Sequence, residues 1–206
     1  MAAPLLLAAA ACAGAALELP EEPEARAGQC SAVTALAARE ERGEDAPVAF
    51  ADFTRILHVA MIAAAREGDT VDLRQLMTIS QDAPIAMQEL QGRNWRSLAG
   101  PCAEAFLEAQ RPAGELPPDS FEAGMMCFGL ADFLARTAAD HPRERAVAAA
   151  LADRALAAAT PVLSQRAAAN QDALQLSDRY MARAFLAGTP SSLLEQCGRR
   201  FPVRRG

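Results

Sequence analysis

Lysine is missing from this chain, and all 20 basic residues are arginine. Aromatic residues are sparse, at 5% of the sequence, with one tryptophan and one tyrosine. Histidine occurs only at His58 and His141. Neither has a second histidine at i+3 or i+4, so a histidine-built metal pair is not encoded locally. No serine sits in a Gly-x-Ser-x-Gly elbow and no glycine-rich run could cradle a phosphate, which removes two common enzyme signatures. No Cys-x-x-Cys pair exists either. Thioredoxin-type redox chemistry, haem attachment and the usual structural zinc spacings are therefore absent. The formal net charge of −6 argues against nucleic acid, whose binding requires a positive footprint. The expectation is a non-catalytic protein without metal or cofactor. The lysine-free, alanine-rich composition reads as the coding bias of a GC-rich bacterial genome and carries no function.

What is present begins with an apolar leader. Leu5 to Ala16 carries no charge, and Ala13-Gly14-Ala15 offers a small-x-small cleavage site, so residues 1–16 read as a signal peptide. The stretch is shorter than the roughly 20 apolar residues that cross a bilayer. Its defect is the lack of a basic residue ahead of it. Ala9-Ala10-Ala11-Cys12 supplies an alternative: a loose lipoprotein-type box in which Cys12 would be acylated. Residues 17–29 hold two prolines and four glutamates and read as a linker. A helical domain is expected over 30–201 and a basic tail over 202–206, with no transmembrane span once the leader is removed.

The domain is rich in alanine, leucine, arginine, glutamate and methionine, and no stretch alternates as a half-buried strand does. This predicts an all-α, single-domain bundle of antiparallel helical hairpins. Helices are expected over 31–42, 48–66, 71–78, 83–91, 94–99, 102–110, 119–138, 142–159, 161–187 and 190–200. Thr160-Pro161 and Thr189-Pro190 each place a capping hydroxyl before a proline at the first helical position. Asp119 and Asp140 mark two further starts, and Gly188 an end. In the second helix Phe50, Phe53, Leu57, Met61 and Ala64 form an apolar stripe, with Asp52 and Arg55 on the other side. That stripe is expected to face the core.

Four cysteines, Cys30, Cys102, Cys127 and Cys197, lie in this domain. In an exported chain an even count reads as two disulfides, with three possible connectivities. If helices 102–110 and 119–138 fold back across the Pro-rich loop 111–118, Cys102 and Cys127 both lie about 12 Å from the turn. This favours Cys102–Cys127, leaving Cys30 to Cys197. Among surface features, Trp95 and Arg96 lie between Gly92 and Gly100-Pro101. They suit either a partner contact or a plug over the Cys102–Cys127 hairpin. Arg199 and Arg200 complement the dipole of the last helix.

The motifs Asn94-Trp95-Arg96, Gly100-Pro101-Cys102, Cys127 followed by Asp132-Phe133-Leu134, and Cys197 followed by Arg200-Phe201-Pro202 resemble those of small exported helical proteins of alphaproteobacteria rich in alanine and arginine. The resemblance spans roughly residues 70–202 and implies an exported helical domain with no known activity. Cys127-Phe128-Gly129 and Asp132 are also faintly similar to periplasmic immunity proteins of type VI secretion, and imply toxin neutralisation as an alternative. The expected role is thus a periplasmic module that binds an envelope protein or ligand.

Overall fold

The computed structural model describes residues 17–43, 45–66, 70–168 and 173–202. The leader, Cys12 and most of the basic tail lie outside them. Among the described residues there are eight α-helices and no strand. The helices are α1 (Pro23–Arg42), α2 (Phe50–Arg66), α3 (Leu73–Leu90), α4 (Ala99–Ala105), α5 (Ser120–Thr137), α6 (Pro142–Ala168), α7 (Ala173–Leu186) and α8 (Pro190–Arg200). Short 3-10 turns over Trp95–Leu98 and Leu107–Gln110 flank α4. The all-α class is as the composition predicts.

Three boundaries differ from the sequence expectation, each for a local reason. The linker is shorter than 17–29, because Glu22 caps α1 with its carboxylate accepting from the Ala25 N–H at 2.7 Å, and Pro23 fits the first turn. Leu17 and Leu19 already pack on the core. The segments 71–78 and 83–91 form one helix that runs through Pro84. That proline stands on the exposed side, where the carbonyl it leaves unpaired faces solvent. Thr160-Pro161 starts no helix: the Thr160 hydroxyl donates back to the Leu156 carbonyl at 2.8 Å and α6 continues past the exposed proline. The Asp119 start is as expected, its carboxylate accepting from the Glu122 N–H at 2.9 Å.

The disulfides are Cys30–Cys102 and Cys127–Cys197, with Cα separations of 5.4 and 5.6 Å. Neither predicted pair forms. The hairpin argument fails because 102–110 is not one helix: α4 ends at Ala105 and the chain turns through a 3-10 segment. The loop after it is then held to the far side of the molecule. Thr189 donates to the Arg111 carbonyl and Gly114 to the Ala187 carbonyl, while the Gln196 amide donates to the Ala113 and Gly114 carbonyls. This carries α5 away from α4. As a result α4 lies on α1 and α5 on α8, and each disulfide closes within one half of the chain.

The core of the C-terminal half is built on α5, which packs along α6 and α7. Gly124 and Gly129 permit this. A Cβ at Gly124 would stand 2.9 Å from the Ala155 carbonyl oxygen, and one at Gly129 would stand 3.0 Å from the Met181 Cα. The N-terminal half pairs α1 with α3 and α2. α2 is shared between the halves, because it also packs on α7 and α8. By length and composition α6 is apolar enough to cross a membrane. In this fold it buries Ala148, Leu151, Ala152, Ala155 and Ala159, and carries Asp153 and Arg154 outward at mid-length. Two intramolecular disulfides are weakly consistent with a location outside the reducing cytoplasm.

Candidate functional site

The second half of α1, the first half of α2, the middle of α3 and the turn into α6 surround an open groove of about 850 Å³. Its apolar lining is supplied chiefly by Phe50, Phe53 and Leu57 of α2 with Pro84 and Met87 of α3. On α1, Ser31, Ala35, Ala38, Arg39 and Arg42 line it. They recur at helical spacing, so one face of α1 forms a wall. A smaller cleft of about 460 Å³ between α6 and α8 shares Phe50 and Glu144 with the groove and extends it toward Val147 and Leu194.

The α2 stripe does not do what its spacing implies. Met61 and Ala64 are buried as expected, but Phe50, Phe53 and Leu57 are only half-buried and line the groove. Asp52, expected to face outward, is buried instead and receives both Arg42 and Arg55. Its carboxylate also lies in the first turn of α2, where the helix dipole favours an anion. On the inward face stand Thr54 and His58, 1% and 0% exposed. The fixed charges of the two arginines draw α1 onto the start of α2 and spend that carboxylate, so it is not free for chemistry.

His58 joins the halves. Its Nε2–H donates to the Phe185 carbonyl of α7 at 2.8 Å, which leaves Nδ1 as the unprotonated nitrogen, buried and with no hydrogen-bond partner among the described residues. Desolvation lowers its pKa from 6.5 to about 4, against smaller opposing effects of the Phe185 hydrogen bond and Glu108. A neutral, fully enclosed imidazole of this kind does not meet a ligand. His141 does line the groove, with its ring 5.5 Å from Phe50 and 5.2 Å from Phe53.

The rim carries charge of both signs. Arg39 on the α1 wall, and Asp140 and Glu144 on the wall leading into α6, have no ion-pair partner among the described residues. On the floor, the Ser31 hydroxyl is buried without a hydrogen-bond partner among the described residues. By contrast Thr34 and Ser80 donate to the carbonyls of Cys30 and Leu76 one turn back. Leaving such a hydroxyl unsatisfied costs about 1–3 kcal/mol.

Trp95 and Arg96 stand elsewhere. Trp95 is half-buried against the core. Arg96 lies over its ring at 4.8 Å and pairs with Glu40 of α1, which raises the guanidinium pKa further. The hairpin that Trp95 was to cover does not form. A second polar cluster closes the far end of the C-terminal half. There the Tyr180 phenol faces Glu122 at 3.4 Å and its pKa is raised, first by burial and then by that carboxylate, while Arg183 lies near both. Among the described residues no three histidine, cysteine, aspartate or glutamate side chains gather as a metal site would require.

The groove went unrecognised in the sequence because its aromatic stripe has the spacing of a core face. The small-residue face of α1 at 31, 35 and 38, opposite bulky apolar residues, is the only local hint of a gap. Comparison with family models, curated proteins and solved structures finds no match for this chain.

Proposed function

We propose that the protein is an exported, non-catalytic module of the cell envelope that binds an amphipathic molecule in the groove between α1, α2 and α3. One observation carries this reading: Phe50, Phe53 and Leu57 stand half-exposed along a groove of about 850 Å³, while in that first half of the helix the buried positions go to Asp52, Thr54 and His58. A concave, mostly apolar surface with a few polar groups on its rim is the form that ligand sites take. The volume falls in the range of small-molecule sites. The two disulfides support a periplasmic location, as does the uncharged stretch before Ala16.

The test is uptake of a neutral, environment-sensitive apolar dye by the purified protein. Wild type should bind one dye per chain, and Ala35→Phe, which projects a ring into the groove, should lose it while keeping its helical circular dichroism. Failure of the folded wild type to bind any apolar dye removes the reading. Export is checked by the N-terminal mass of protein from its host. A mature chain beginning at an acylated Cys12 would make it an anchored lipoprotein instead.

A further inference from the structure

We propose that the occupant of the groove is a zwitterionic single-chain phospholipid, with its phosphate on Arg39, its ammonium between the Phe50, Phe53 and His141 rings and the carboxylates of Asp140 and Glu144, and its acyl chain along the apolar floor. The inference rests on the groove reading above and adds to it the chemistry of the headgroup.

Charge complementarity selects this class. On the α1 wall, Arg42 is committed to Asp52, which Arg55 also holds, so Arg39 is the cation with no ion-pair partner among the described residues. An exposed guanidinium next to an apolar floor suits a phosphate, which it can engage with paired N–H donors. On the α6 wall, Asp140 and Glu144 flank a cluster of three rings whose centroids lie 5.2 to 6.2 Å apart. Ring faces and nearby carboxylates together favour an organic ammonium. A purely anionic amphiphile would satisfy Arg39 and be repelled by the two acids. A purely cationic one would do the reverse. Only a headgroup with both signs leaves neither wall unanswered, and the apolar floor at Leu57, Pro84 and Met87 receives the chain. The neighbouring cleft adds Arg143 beyond Glu144, outside the groove itself.

The experiment is displacement of the groove-bound dye from the full protein by three amphiphiles of equal chain length below their micelle-forming concentrations. These are lysophosphatidylethanolamine, lysophosphatidylglycerol and an alkyltrimethylammonium. The zwitterion is expected to bind up to about fivefold more tightly than either single-sign probe, the scale of one favourable ion pair near a surface. Arg39→Gln should weaken both phosphate-bearing probes and spare the ammonium, and Glu144→Gln should weaken the zwitterion and the ammonium only. Equal or tighter binding of lysophosphatidylglycerol or of the ammonium overturns the headgroup assignment while leaving a working groove. Loss of dye binding itself would instead overturn the groove reading. The comparison of probes on the wild type needs no variant, so a variant that fails to fold does not protect the proposal.

Discussion

The helices before residue 111 and those after it are each closed by one disulfide over nearly equal spans, 72 and 70 residues, yet they bury their apolar surface very differently. In the C-terminal half, α5 places eleven buried residues between its neighbours, and Gly124 and Gly129 let α6 and α7 approach to backbone contact. In the N-terminal half, ion pairs hold the start of α2 to the end of α1 while Phe50, Phe53 and Leu57 are left lining the open groove, and Leu73, Met77 and Ile85 of α3 remain at least half exposed. A cross-link fixes two helices at one point. Closing the interface along their length requires small residues set against matching bulk: α1 has them against α3 at Ala27, Gly28 and Ala32, whereas the aromatic start of α2 meets no such surface and lines the groove.

The largest test of that contrast is removal of the bridges. Replacing either cysteine pair by alanine should cost up to about 4 kcal/mol by the loop-closure relation, lowering the melting temperature by a similar amount in both variants. Access should separate them. Cys102 is 8% exposed whereas Cys127 and Cys197 are fully buried, so mild reductant followed by thiol alkylation should label Cys30 and Cys102 first. Opening of Cys127–Cys197 first would break the comparison.

Acid should act where the halves meet. Because the pKa of His58 is about 4 when folded against 6.5 in its ordinary state, the unfolded chain binds the extra proton between those values. Stability is therefore full above about pH 6.5 and falls as the pH drops toward 4. At about 1.4 kcal/mol per unit the loss reaches roughly 3 kcal/mol. Thermal melts across this window should show the decline, and His58→Gln should flatten it. An unchanged slope in that variant would assign the acid sensitivity to other groups.

Packing makes a sharper contrast at smaller scale. Gly129→Val places a Cβ 3.0 Å from Met181 Cα and Cβ and should cost about 1–3 kcal/mol in chemical denaturation. Ala35→Val adds the same kind of bulk on the groove side and should change stability by no more than about 0.5 kcal/mol. Equal losses would mean that the groove closes in solution. The smallest effect concerns helix starts. Asp119→Ala removes a side-chain cap and should cost about 1 kcal/mol. Thr189→Ala should cost far less, since Thr189 makes no such bond to α8.

What the sequence revealed divides along physical lines. Helices that begin at an aspartate cap or a proline after a turn, such as α5, α6 and α8, were legible, because capping is decided within one turn of chain. Thr160-Pro161 misled, since whether a helix stops at proline depends on whether the carbonyl it frees can face water, and that is set by the fold. The disulfide pairing was lost for a similar reason. It turned on the path of loop 111–118, which is fixed by Thr189, Ala187 and Gln196 some 80 positions away. The groove was the least visible of all. A stripe of Phe50, Phe53 and Leu57 has the same period whether a neighbouring helix covers it or leaves it open.

The cysteines of the domain are joined first to second and third to fourth. A chain threaded N-terminus first into an oxidising space can therefore close Cys30–Cys102 before Cys127 has emerged, and then close the remaining pair with no rival thiol left in the domain. The nested alternative, Cys30 with Cys197, would have kept the first thiol waiting for nearly the whole domain. In such a space an oxidant that joins thiols in order of arrival would make the native product directly, without proofreading by an isomerase.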